Sequence, residues 1–196
     1  MLFRSNPMND PAACFELTGI GPAARGAGAE VALPRADYFR PFSLPGGRLI
    51  ADWPVLLGPL ESATKLIGVA PVKDHHRAGA SLALKNWYGL LGGRRSLFHQ
   101  EIHAIIAELA RLVRPTLVVL DGVTAMIRNG PTGGSLYDLA PTDTMIVSTD
   151  PVAADAFGAT LLGLTVNDLP WLASAAVAGA GTANYELLSP IRLDAG

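Results

Sequence analysis

The chain's four histidines, His75, His76, His99 and His103, all fall in the single stretch from Lys73 to His103. From Lys73 to Arg95 that stretch carries five basic residues, Lys73, Arg77, Lys85, Arg94 and Arg95, against one acid, Asp74. Ammonium, guanidinium and imidazole groups concentrated in this way suit an anion, a metal ion, or both. His75 and His99 are the candidate catalytic residues, as general base or as ligands to a divalent metal. Lys73, Lys85 and Asn86 are candidates to orient the carboxylate or phosphate of a small anionic molecule. Asp121 and Asp155 complete the candidate ligand-binding set, balancing charge or holding the metal.

Each of these residues also has a plainer reading. Asp155 lies in PVAADAFGATLLGL, where nearly every neighbour is apolar or small. A carboxylate buried there needs a cation or strong donors, and backbone N–H groups would serve as well as Lys73, Lys85 or a metal. His99 and His103 are one helical turn apart, a metal-ligand spacing, but HQEIH is not the HExxH of zinc proteases. His99 lies nearer the apolar stripe of its helix and is the one expected to point inward. His75 and His76 are adjacent, so their rings are expected to diverge and one at most to face a ligand, with His75 favoured. Arg94 and Arg95 are either a solvated loop or an anion clamp. Cys14 sits in an expected helix far from the histidines and reads as packing.

The elements that must position these groups are legible in outline. Residues 1–10 read as polar and irregular. Asp10-Pro11 starts a helix that runs to about Thr18 and stops at Gly19. GIGPAARGAGAEV follows that helix instead of a strand, so its glycines read as a turn and not as a dinucleotide fingerprint. Two or three short strands are expected between Ala29 and Leu57 (AEVAL, GRLIADW), then a strand LIGVA over 66–70. Residues 81–91 form a short helix or an ordered loop. His99 to Val113 is a helix, its stripe made by Ile102, Ile105, Ile106, Leu109, Leu112 and Val113. TLVVL (116–120) is a continuous apolar strand of the kind found in a sheet covered on both faces, and TMIVS (144–148) is the next strand. Asp150-Pro151 opens a helix to about Leu162, another spans about Leu169 to Ala178, and YELLSPIRL adds an edge strand.

This order implies one α/β domain over 1–196, with a largely parallel central sheet and helices on both faces. In such sheets ligands bind beyond the carboxyl ends of the strands. LIGVA leads to Lys73 and His75, TLVVL to Asp121 and TMIVS to Asp150, so parallel neighbours would bring these groups to one rim.

The composition narrows the classes. The chain has 196 residues, 49% hydrophobic and 16% charged, enough for a full core. A net charge of -2 gives no reason to expect nucleic acid as a partner. One cysteine excludes an internal disulfide and any iron–sulfur cluster held by this chain alone. Apolar runs too short to span a bilayer and no visible secretory signal point to a cytoplasmic protein without membrane partners.

Several motifs together resemble the domain of unknown function 362 family. They are Lys73-Asp74-His75, Gly79, Ser81-Leu82-Ala83-Leu84-Lys85-Asn86 with Gly89, His99, Val119-Leu120-Asp121-Gly122, Gly130-Pro131, Ser148-Thr149-Asp150-Pro151-Val152-Ala153-Ala154-Asp155-Ala156 and Gly179-Ala180-Gly181. The resemblance runs from about Cys14 onward. It implies an uncharacterised family often fused to ferredoxin-type iron–sulfur domains, so a ferredoxin-type protein or domain is an expected partner and would carry any cluster. It also implies that the family's N-terminal α/β segment, with its Lys-Pro-Asn motif, is missing and that the chain is a fragment or short relative. His75 to Gly79 with Lys85 is faintly similar to part of the nickel-pincer lactate racemase family, which strengthens the expectation of a metal near these residues.

The expected function is thus an anion- or metal-binding pocket acting on a small anionic substrate. The alternatives are a non-catalytic module that binds a ligand or docks an electron-transfer partner, and a structural remnant in which Lys73 and Lys85 neutralise Asp121 and Asp155.

Overall fold

The structure, a computed structural model, describes residues 2–3 and 10–194. Residues 4–9, within the N-terminal stretch expected to be irregular, lie outside the described residues. The chain separates into two compact units, one of residues 1–64 with 88–96 and one of 65–87 with 97–196.

The first unit holds short elements. Strand β1 (Leu2–Phe3) pairs in parallel with β2 (Val31–Ala32). Between them lie helices α1 (Pro11–Leu17) and α2 (Ile20–Gly26). Asp10 caps α1 as its sequence position requires, its carboxylate accepting the Ala13 N–H at 2.7 Å with Pro11 in the first turn. The glycine-rich stretch after Thr18 forms α2, where a turn was expected; Gly19, at φ 73°, supplies the left-handed residue that reverses the chain between the helices. Strand β3 (Phe39–Phe42) pairs antiparallel with β4 (Trp53–Leu56), so GRLIADW contributes only its last residue to a strand.

The second unit is built on a four-stranded sheet. Its strands are β5 (Ile67–His75), β6 (Gly79–Ser81), β7 (Leu117–Met126) and β8 (Leu139–Ser148), in the order β6-β5-β7-β8. Helix α3 (Ala83–Asn86) and helix α4 (Ile102–Leu112) lie between β6 and β7 in sequence; α5 (Pro151–Thr160) and α6 (Pro170–Val177) follow β8. Only β5 and β7 are parallel; β6 and β8 run antiparallel to their neighbours. The expectation of a largely parallel sheet is therefore corrected. A helical crossover separates β5 from β7, whereas the connection 127–138 holds no α-helix and returns the chain directly, as an antiparallel neighbour does.

Helices α3 and α5 pack on the sheet, while α4 packs on α3 and α6. Ala70, Val72, Val118 and Leu120 point towards the helices and are buried. On β5 and β8, Ile67, Val69, Met145 and Val147 point to the other face and are 56–61% exposed. Among the described residues the helices cover one face, not both. Helix α4 begins at Ile102 because Arg95–Glu101 winds as a 3-10 helix, and it buries Ile102, Ile105, Ile106 and Leu109 as the stripe requires. Asp150 caps α5: one oxygen accepts the Val152 and Ala153 N–H groups at 2.9 Å, and the other accepts Thr182 N–H at 2.9 Å. The expected edge strand over YELLSPIRL is instead a 3-10 turn at Tyr185–Leu188.

Candidate functional site

The mixed sheet breaks the expected single rim. Ser148 pairs with Val118, at the start of β7, so Asp150 lies at the end of the sheet opposite Lys73 and His75. Asp121 does not end a strand, since β7 runs on to Met126. It is exposed on the uncovered face, and its carboxylate accepts the Val123 N–H at 3.1 Å. Asp155 projects from α5 on the helix-covered face and is fully buried. Asp121, Asp150 and Asp155 thus do not form one ligand set.

The basic and imidazole groups do come together in part. β5 turns back into β6 with Lys73 opposite Ser81 and His75 opposite Gly79. The turn is held from outside. The buried Trp171 indole N–H donates to the Ala78 carbonyl at 2.8 Å, and Leu169 packs at Gly79 so closely that a Cβ there would collide with it. The flank is held by Gly130, whose N–H donates to the Asp74 carboxylate at 2.8 Å and whose carbonyl accepts the His76 N–H at 3.2 Å. Any larger residue at 130 would overlap the Asp74 backbone. Trp171 was not anticipated, and its contact with Ala78, 93 positions away, leaves no local mark in the sequence.

Within this frame His75 is 2% exposed. Its Nδ1 accepts the backbone N–H groups of Arg77 and Ala78, both at 3.2 Å. The His76 ring stands at 5.2 Å between centroids and the His99 ring at 6.3 Å, each inclined by 12° to His75. The adjacent rings of His75 and His76 therefore stack and do not diverge. Burial, then the Lys85 charge, then His76 and His99 lower the His75 pKa to about 3. His75 is accordingly a neutral imidazole over the physiological range.

Lys85 is buried in α3. That short helix is fixed by Asp155, whose two carboxylate oxygens accept the Ala83 N–H at 2.8 Å and the Leu84 N–H at 2.9 Å. Burial raises the Asp155 pKa to about 8 against the pull of those two donors, with Asp150 adding a smaller push in the same direction. Asp155 thus serves as a cap donated from another helix, and it places Lys85 without being a visible ligand itself. Asn86 is exposed, and its amide donates to the Val69 carbonyl at 3.2 Å, closing a backbone position on the edge of β5.

Of the remaining candidates, His99 reaches this cluster through its ring. His99 belongs to the 3-10 turn, not to α4, so it does not share a helix face with His103. His103 is half-buried, and its Nδ1 has no hydrogen-bond partner among the described residues. Arg95 belongs to the first unit, where its guanidinium donates to the Tyr88 carbonyl at 3.0 Å and lies over the Tyr88 ring. Arg94 beside it is exposed. Among the described residues no three His, Cys, Asp or Glu side chains gather as a metal site, and no helix is long and apolar enough to cross a membrane.

The family described as Domain of unknown function (DUF362) matches this chain over residues 2–160, and the chain belongs to that family. A match opening at residue 2 gives no support to the expectation that the family's N-terminal segment is missing. No curated protein and no solved structure matches the chain.

Proposed function

We propose that this member of the DUF362 family binds a small anionic molecule at the cluster of His75, His99 and Lys85, with Lys73 on the same strand as His75. The observation that carries this reading is a buried lysine next to a buried, neutral imidazole, at the end of a strand. An ammonium in a poorly solvated setting attracts an anion far more strongly than one in water. Imidazole N–H groups add directed donors of the kind carboxylates and phosphates accept. Catalysis on the bound anion, with His99 exchanging a proton, is the extended form of this reading.

The divalent-metal version has less behind it, since it would need ligands beyond His75 and His99. A non-catalytic docking surface for a ferredoxin-type partner draws on a different feature, the exposed His76 and Arg77 at the rim. Docking there would weaken as salt screens the charge, while a buried anion site would be screened much less.

A thermal-shift screen of phosphate, sulfate and small carboxylates tests the proposal. An anion at about 100 times its Kd is expected to stabilise the folded chain by roughly 2.7 kcal/mol, and Lys85→Met should abolish the effect. No stabilisation of the wild type by any of these anions would refute it.

A further inference from the structure

The hydrogen bonds of His75 fix which of its nitrogens carries a proton. Backbone N–H groups can only donate, and two of them, from Arg77 and Ala78, aim at Nδ1. Nδ1 must therefore offer a lone pair. A neutral imidazole has one N–H, so the proton sits on Nε2. A doubly protonated ring would set a third N–H against those two. The groups facing the ring oppose a positive charge as well: Lys85 from α3, His76 from the turn, and His99 from the segment before α4. Nε2 has no hydrogen-bond partner among the described residues.

We infer that His75 acts as a fixed, neutral hydrogen-bond donor through Nε2–H, and that the oxygen of a carboxylate or phosphate is the acceptor it serves. This deepens the anion reading and rests on it for the ligand; the position of the proton follows from the hairpin turn alone. Two roles expected of His75 are thereby excluded. A ring with Nδ1 occupied by two donors and Nε2 protonated has no lone pair free to accept a proton as general base. For the same reason it cannot ligate a metal. Metal-bound histidines show the opposite arrangement, donating their second N–H to a carbonyl or carboxylate. Proton exchange in the site then falls to His99. A neutral donor also discriminates little by ligand charge, so Lys85 supplies the attraction and His75 the direction.

The test uses the full chain labelled with nitrogen-15 and long-range proton–nitrogen correlation of its imidazoles. His75, assigned by its loss in His75→Gln, should show the proton on Nε2 and an unprotonated Nδ1, unchanged between about pH 7.5 and 4.5. A proton on Nδ1, or a ring that titrates in that range, would overturn the inference. A second arm compares two amide substitutions with phosphate as the probe. Glutamine places its amide N–H near the position of Nε2, and asparagine places it near Nδ1. His75→Gln should keep about half or more of the phosphate-induced rise in Tm, and His75→Asn should lose it. Retention in asparagine with loss in glutamine would count against the donor role. If phosphate leaves the wild type unaffected, the anion reading fails, while the imidazole spectrum still decides where the proton lies.

Discussion

His75 and Asp155 are the two most deeply buried ionisable groups among the described residues, and each accepts two backbone N–H groups. Both are pushed towards their neutral forms, the imidazole downwards to about 3 and the carboxyl upwards to about 8. The difference lies in what each has left over. Asp155 commits one oxygen to each N–H and ends as part of the architecture that holds α3. His75 commits a single nitrogen and keeps a second, on the opposite edge of the ring, for something else. Burial and a shifted pKa are common to both groups; the ring nitrogen left over is what sets His75 apart.

This contrast can be broken most forcefully by removing the side chains. Asp155→Ala leaves two buried N–H groups unpaired and should destabilise the fold by about 2–5 kcal/mol in chemical denaturation. His75→Ala should cost less, about 1–2 kcal/mol, because Ala78 N–H also reaches the His75 carbonyl at 3.1 Å, through the backbone. The reverse order would mean that the structural and the functional group have been exchanged.

The pH dependence sharpens the comparison, because the two groups act with opposite sign. Between about pH 4 and 8 the unfolded chain has lost the Asp155 proton and the folded chain keeps it, so this group makes stability fall as pH rises through that window. Between about pH 3 and 6.5 the unfolded chain protonates His75 and the folded chain does not, so this group makes stability fall as pH drops. Each contributes a slope near 1.4 kcal/mol per pH unit, and the two cancel between about pH 4 and 6.5. Relative to the wild type, Asp155→Asn should expose a loss of stability below pH 6.5, and His75→Gln a gain that continues down to about pH 4. Parallel profiles for wild type and both variants would show that neither group is held neutral.

Local signals were legible in the sequence and nonlocal ones were not. The caps at Asp10 and Asp150 form as read, because capping involves residues within one turn. The stripe from Ile102 to Leu109 packs as its spacing requires. The cores of β7 and β8 were found, but both strands extend well into polar sequence, since one face of the sheet is open to solvent. The antiparallel return of β8 did leave a signal: no helix separates it from β7. Taking the sheet as parallel instead drew Asp121 and Asp150 into a shared rim. Part of the site, His75 near Lys85 and His99, follows from the clustering of basic residues in one stretch. The stacking with His76, the grip of Gly130 and the anchor at Trp171 depend on segments distant in sequence, which no spacing rule reaches.

The most direct measurement is a phosphate titration followed through the backbone amide resonances of the full chain. Shifts should centre on Arg77, Ala78 and the residues around Lys85 and His99, and should leave Val152, Ala153 and Thr182, at the opposite end of the sheet, unmoved. Shifts centred on that opposite end, or none anywhere, would contradict the account.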